Sequence, residues 1–125
     1  MTLVLDAGAF LAVERGRRDV VALIKGELEQ ERVPITHGGV VGQVWRGGAR
    51  QAMLARLLRA VDVAPLDRHL GRRAGALLAM ANTADVIDAA LVLLATDGDG
   101  VLTSDPDDIA HLAEAASVHV DVMGL

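Results

Sequence analysis

A chain of 125 residues, 52% of them apolar and with a net charge of −5, can bury one core but is short for two ordinary domains and too apolar for disorder. The absence of cysteine excludes disulfides, zinc–thiolate centres and thiol catalysis. With Phe10 and Trp45 as the only aromatics, the core must be aliphatic, and base-stacking platforms of the RRM or OB type are excluded.

Residues 2–5 read as a short buried strand ending on Asp6, followed by a helix from Ala7 to about Val13. Asp19 is expected to cap a second helix, with Val20, Leu23, Ile24 and Leu28 at helical spacing. Residues 33–36 form a short strand whose Pro34 suits an edge or a strand start. The segment from Val40 to Trp45 reads as helix, broken by Gly47-Gly48. Residues 50–60 are amphipathic, with Met53, Leu54, Leu57 and Leu58 opposite Arg50, Arg56 and Arg59. A third strand, 61–64, ends at Pro65, and Asp67 caps a helix to about Ala81. Asn82 or Thr83 is expected to cap the next helix, which runs to Ala95. A turn over 96–100 leads to a fourth strand at 101–103, a helix at 106–115 and a last strand at 118–122. Strands alternating with helices predict one α/β domain over residues 1–125, with a mainly parallel sheet of four to five strands and helices on both faces.

The aspartates fall at element boundaries. Asp6 ends the first strand, Asp85 and Asp88 open the apolar run 89–95, and Asp105, Asp107 and Asp108 follow the fourth strand. In an open α/β sheet such boundaries are the usual address of a site. Converging carboxylates are costly to bury unless something positive joins them, which points to a divalent cation. Oxygen ligands from one or two carboxylates with retained waters are the setting Mg²⁺ prefers. Asp85 and Asp88, three apart, share one helix side. The plainer readings are a first-turn acid for Asp85 and a helix cap before Pro106 for Asp105.

Charge is segregated along the chain. No Lys or Arg follows Arg73, whereas Arg46, Arg50, Arg56, Arg59, Arg68, Arg72 and Arg73 crowd the middle. A basic strip beside an acidic pocket suits a polyanion, Arg46 and Arg50 foremost, although solvated helix faces read the same way. Rival motifs fail. The glycines at 39, 42, 47 and 48 lack the Lys-Ser/Thr of a P-loop, and Asp97-Gly98-Asp99-Gly100 lacks the later ligands of a calcium loop. His37, His69, His111 and His119 have no metal spacing and are expected at the surface or in loops. The start of the chain has no signal-peptide flank, and no apolar run reaches the ~18 residues of a membrane helix. A cytoplasmic location without membrane contact is therefore expected.

In order, Val4-Leu5-Asp6-Ala7, Asp88-Ala89-Ala90-Leu91 and Leu102-Thr103-Ser104-Asp105-Pro106 resemble the PIN-domain ribonucleases, in particular the toxin half of VapBC toxin–antitoxin pairs. The resemblance implies a PIN-like three-layer α/β/α sandwich and an endoribonuclease using Mg²⁺ or Mn²⁺. Carried over by position, Asp6, Asp88 and Asp105 would be the metal ligands and catalytic acids, with Thr103 and Ser104 supporting through their hydroxyls. Asp85 is the alternative register for Asp88, and Asp85 and Asp107 are possible supporting acids. The implied partners are RNA, a cognate VapB-like antitoxin whose tail blocks the site, and a second copy in a homodimer. One departure stands out: Gln43 occupies the place where the family usually has a glutamate on the helix after the second strand. Gln keeps an oxygen but loses a charge. That leaves open a degenerate PIN domain that binds a partner and cuts little. A magnesium phosphohydrolase is disfavoured because Ala7 and Gly8 follow Asp6 where an Asp-x-Asp would be required.

Overall fold

The computed structural model describes residues 1–125 as a three-layer α/β/α sandwich around one five-stranded, wholly parallel sheet. The strands are β1 (Leu3–Leu5), β2 (Ile35–His37), β3 (Asp62–Ala64), β4 (Gly100–Thr103) and β5 (Asp121–Gly124), in the spatial order β3-β2-β1-β4-β5. The helices are α1 (Ala7–Glu14), α2 (Arg18–Glu29), α3 (Gly38–Val44), α4 (Ala52–Ala60), α5 (Arg68–Ala81), α6 (Val86–Leu94) and α7 (Pro106–Ala115).

Strand order follows from the chain's path. It steps outward from β1 to β2 and β3, then crosses back to lay β4 on the other side of β1. Right-handed crossovers therefore put α1–α4 on one face and α5–α7 on the other. The packing agrees: α1 contacts α2, α3 and α4, while α5, α6 and α7 contact one another. Where the path reverses, between β1 and β4, the carboxyl ends of adjacent strands open a crevice. Leu5 pairs with Leu102 in that register, so Asp6 and the Thr103–Asp105 segment meet there.

The central strands are buried along their whole length, as continuous apolar runs in a parallel sheet must be. Edge strand β3 is exposed at Asp62 and Val63 and half-buried at Ala64, and β5 opens on Asp121; charge at an edge discourages pairing with another sheet. Phe10 is the only aromatic in a core of 27 buried apolar residues, whereas Trp45 is 43% exposed. Helix α6 is apolar almost all round and buried from Asp88 to Val92, which suits a helix pressed between the sheet and α5 and α7. No single helix is long and apolar enough to cross a membrane.

Several boundaries differ from the expectations. Helix α2 starts at Arg18, so Asp19 sits in its first turn, paired with Arg17 at 2.6 Å, rather than capping it. Val33 is exposed and β2 begins at Ile35. Neither Asn82 nor Thr83 caps α6: Asn82 ends α5 in a left-handed conformation, and Asp85 is the cap. Strand β5 begins at Asp121 rather than 118, because residue 119 is drawn into the preceding turn. The His119 N–H donates to the Asp97 carboxylate, and its carbonyl accepts from Gly98.

The break after α3 is held by Gln51, in the 3₁₀ turn Ala49–Gln51 before α4. Its Oε1 accepts from the Arg46 and Gly47 N–H groups at 2.9 and 3.0 Å, and its Nε2 donates to the Val44 carbonyl at 2.8 Å. Gln51→Ala strands these partners and is expected to destabilise the protein by about 1–3 kcal/mol. Chemical denaturation would register this; an unchanged midpoint would mean that water replaces the amide.

Candidate functional site

Asp6 caps α1 and ties β1 to the end of β4. Its Oδ1 accepts from the Ala9 N–H at 3.1 Å and its Oδ2 from the Ser104 N–H at 3.0 Å, and the side chain is buried. The approach of α1 to Ser104 requires glycine at position 8, where a Cβ would lie 2.8 Å from the Ser104 side chain. The Thr36 hydroxyl donates to the Leu5 carbonyl at 2.8 Å, fixing the backbone just before Asp6.

Asp85 caps α6, its Oδ1 accepting from the Asp88 N–H at 3.0 Å. Asp88 itself is only 9% exposed, and its carboxylate accepts no hydrogen bond from the protein. No side-chain polar atom is sealed in without a partner, so its oxygens face the crevice rather than the core. Burial, followed by the charges of Asp85, Asp105, Asp6 and Asp108, pushes its pKa from an ordinary 3.8 to about 7. Asp105 occupies the N-cap position of α7, yet its side chain caps nothing, since the geometry there is set by its own N–H donating to the Thr103 hydroxyl at 2.9 Å. Its carboxylate is left exposed beside Asp88.

Four carboxylates, Asp6, Asp85, Asp105 and Asp108, therefore act on Asp88 at the switch point of the sheet, and no cation of the protein pairs with it. The two ion pairs, Arg17–Asp19 and Arg32–Glu27, lie elsewhere. As arranged, no three acidic or histidine side chains converge as a ready-made ligand set. The chemistry of the donors nonetheless fits a hard divalent cation held by one or two carboxylates with its remaining positions filled by water. Asp88, nearly buried and without a donor, is the carboxylate that such an ion would compensate.

The structure distributes the expected site residues unevenly. Asp6, Asp85, Asp88 and Asp105 are brought together. Of the two acids opening α7, Asp108 and not Asp107 is among the charges acting on Asp88. Thr103 supports through its hydroxyl, whereas Ser104 contributes its backbone N–H. Gln43 is exposed on α3 and hydrogen-bonds to none of the acids. Arg46 and Arg50 are exposed beyond the end of α3, Arg46 with one guanidinium nitrogen on the Gly42 and Trp45 carbonyls.

His37 overturns the expectation of a surface or loop residue: it closes β2 and is fully buried. Its Nδ1 accepts from the Gly39 N–H, capping α3, and its Nε2 bonds the Ile87 carbonyl. The local signal was a polar residue between a strand and Gly38-Gly39, an N-cap position that imidazole fills less often than Ser or Asp.

None of the principal concavities includes these acids. One, about 480 Å³, lies between α7 and β5, and another of about 360 Å³ lies between α2 and α4. The acids therefore do not line a large enclosed apolar pocket of the kind that holds a small molecule. Fold and site together define an α/β protein with an acidic crevice at the carboxyl edge of a parallel sheet. No protein-family model matches the chain, and no curated protein matches it significantly.

Proposed function

We propose that this protein is a Mg²⁺-dependent endoribonuclease of the toxin type, hydrolysing RNA phosphodiester bonds and neutralised by a cognate antitoxin. The observation that carries the reading is Asp88: a nearly buried carboxylate without a donor, ringed by Asp6, Asp85, Asp105 and Asp108, with no protein cation among them. When bound, a divalent ion would supply hydroxide at neutral pH and charge stabilisation at the phosphate. Asp6 and Asp88 would hold it, and Asp105 would position water. The exposure of Asp85, Asp105 and Asp108 leaves the acids accessible to a polymer, and the exposed Arg46 and Arg50 offer phosphate contacts. Neutralisation by an antitoxin fits the same electrostatics, because an inserted arginine would pair with the acids in place of the metal. The antitoxin and the homodimer rest on the family resemblance.

The test is cleavage of a structured RNA by the purified chain with Mg²⁺ or Mn²⁺ and with EDTA. Cleavage is expected with either metal and none with chelator. Equal cleavage in EDTA would exclude the metal mechanism.

Gln43 favours a second reading, a degenerate PIN domain that binds and regulates without cutting efficiently. In the family pattern this position reaches the ion, and a carboxylate there would contribute on the order of 1.4 kcal/mol, so under this reading Gln43→Glu is expected to tighten Mn²⁺ binding about tenfold and raise cleavage. Calorimetric titration checks this. Unchanged affinity would place residue 43 outside the site, and full activity in the parent would dismiss degeneracy.

A further inference from the structure

His37 is the one ionisable side chain with no exposure at all, and its ring joins two elements far apart in sequence. Nδ1 lies 3.0 Å from the Gly39 nitrogen, and Nε2 lies 2.9 Å from the Ile87 carbonyl oxygen. A backbone N–H can only donate, so Nδ1 carries no proton. The neutral ring then bears its proton on Nε2, and that N–H donates to Ile87. Burial also lowers the imidazole pKa, in keeping with a neutral ring.

Ile87 immediately precedes Asp88 in the first turn of α6. The packing around the link is tight: a Cβ at Gly39 would lie 2.5 Å from Ile87 Cδ1 and 2.9 Å from His37 Cε1. The start of α3 is thus pressed onto the turn that carries Asp88, with glycine making the approach possible. Like charges on β1, α6 and α7 push those elements apart. A neutral donor holds α6 in place without bringing a positive charge that would compete with a metal ion. A lysine or arginine would do both.

We propose that His37 is a positioning residue whose Nε2–H, anchored on the Ile87 carbonyl, sets where α6 presents Asp88 to a divalent ion. The metal half of this role rests on the function proposed above. The two hydrogen bonds can be separated by substitution. In His37→Asn the amide oxygen stands near the place of Nδ1 and can cap α3, but the side chain stops short of Ile87. In His37→Gln the amide nitrogen reaches the place of Nε2 and can donate to Ile87.

The experiment measures Mn²⁺ affinity by calorimetry and amide hydrogen exchange over residues 86–91, with circular dichroism to confirm folding. His37→Asn is expected to weaken Mn²⁺ binding roughly 10–100-fold and to speed exchange in the first turns of α6, whereas His37→Gln stays within about threefold of the parent. A merely capping histidine predicts the reverse order, since Asn is the better cap. His37→Asn with parental affinity and parental exchange would overturn the proposal. Should either variant fail to fold, Gly39→Ala, which crowds the ring but keeps its nitrogens, is expected to weaken binding in the same direction; parental affinity there would also overturn it. If the parent binds no Mn²⁺, the metal reading falls by itself. Exchange then decides the positioning role, supported by faster exchange in the Asn variant alone and overturned by none.

Discussion

Asp88→Asn is expected to abolish Mg²⁺-dependent RNA cleavage and, at the same time, to stabilise the metal-free protein at pH 8. The activity loss follows from removing the carboxylate at the centre of the acidic crevice, and a drop of at least ~10³-fold is the scale for a group acting on the reacting centre. The stability gain follows from proton linkage. The folded-state pKa of Asp88 is about 7, above its ordinary 3.8, so the folded state holds this proton more tightly than the unfolded chain. Its contribution is therefore fully present below about pH 3.8 and is lost as pH rises through about 7. Because the carboxylate opens to solvent in the crevice, the loss by pH 8 is on the order of 2 kcal/mol after screening. Asparagine removes the titration, which corresponds to a Tm roughly 5–10 °C higher at pH 8, with little gain at pH 4. Thermal melts of both proteins with EDTA at the two pH values measure it. A variant that is less stable at pH 8 would mean that the ionised carboxylate has a partner. Adding Mg²⁺ should stabilise the parent at pH 8 and leave the variant unmoved.

Asp6→Ala has the opposite sign for stability. Asp6 accepts from two backbone N–H groups, of Ala9 and Ser104, and it is buried. Alanine removes the cap of α1 and leaves the Ser104 N–H without its acceptor, a loss of about 2–4 kcal/mol in all. Asn can satisfy only one of the two donors, because its amide NH₂ cannot accept, so Asp6→Asn should fall between parent and alanine variant. Cleavage is expected to vanish in both, including at temperatures where Asp6→Asn remains fully folded. Denaturant midpoints order the three proteins, and RNA cleavage below those midpoints separates chemistry from folding. Retained cleavage in Asp6→Asn would remove Asp6 from the metal site. The contrast between the two acids is itself informative: Asp6 is embedded in the scaffold by donors, whereas Asp88 is held against its own electrostatic preference.

The element order was legible because periodicity is a local property. The short strands Leu3–Leu5 and Gly100–Thr103 stand out as apolar runs bounded by polar residues, and the amphipathic stripe of α4 repeats at helical spacing. Boundaries were less legible where tertiary bonds compete with local preference. Asp97 draws His119 into a turn and delays β5, and Asn82, a good cap by type, instead takes the left-handed position that ends α5. Asn82 is taken up in ending α5, and α6 begins at Val86, so Asp85 is the residue whose carboxylate caps it.

For the site, residue type and position in the chain were enough to raise Asp6, Asp88 and Asp105 as candidates and to suggest a divalent ion, because carboxylates at strand ends of a parallel sheet share one edge. They placed Asp88 ahead of Asp85 only through the closer match of Asp88-Ala89-Ala90-Leu91 to the family pattern, and did not separate Asp107 from Asp108, since neighbours on a helix differ only in which way they point once the helix is docked. Asp85 caps its own helix through a local bond to the Asp88 N–H, while docking buries Asp88 and sets Asp108 rather than Asp107 against it. Docking also enclosed His37, which no spacing rule distinguishes from the three other histidines. By itself the sequence determined the α/β class, the order of elements and the edge where the acids gather, all consequences of short-range pattern. Only the tertiary structure decided which carboxylate is uncompensated and what holds it there, because hydrogen-bond partners and desolvation arise from contacts up to 98 residues apart, such as Ser104 on Asp6.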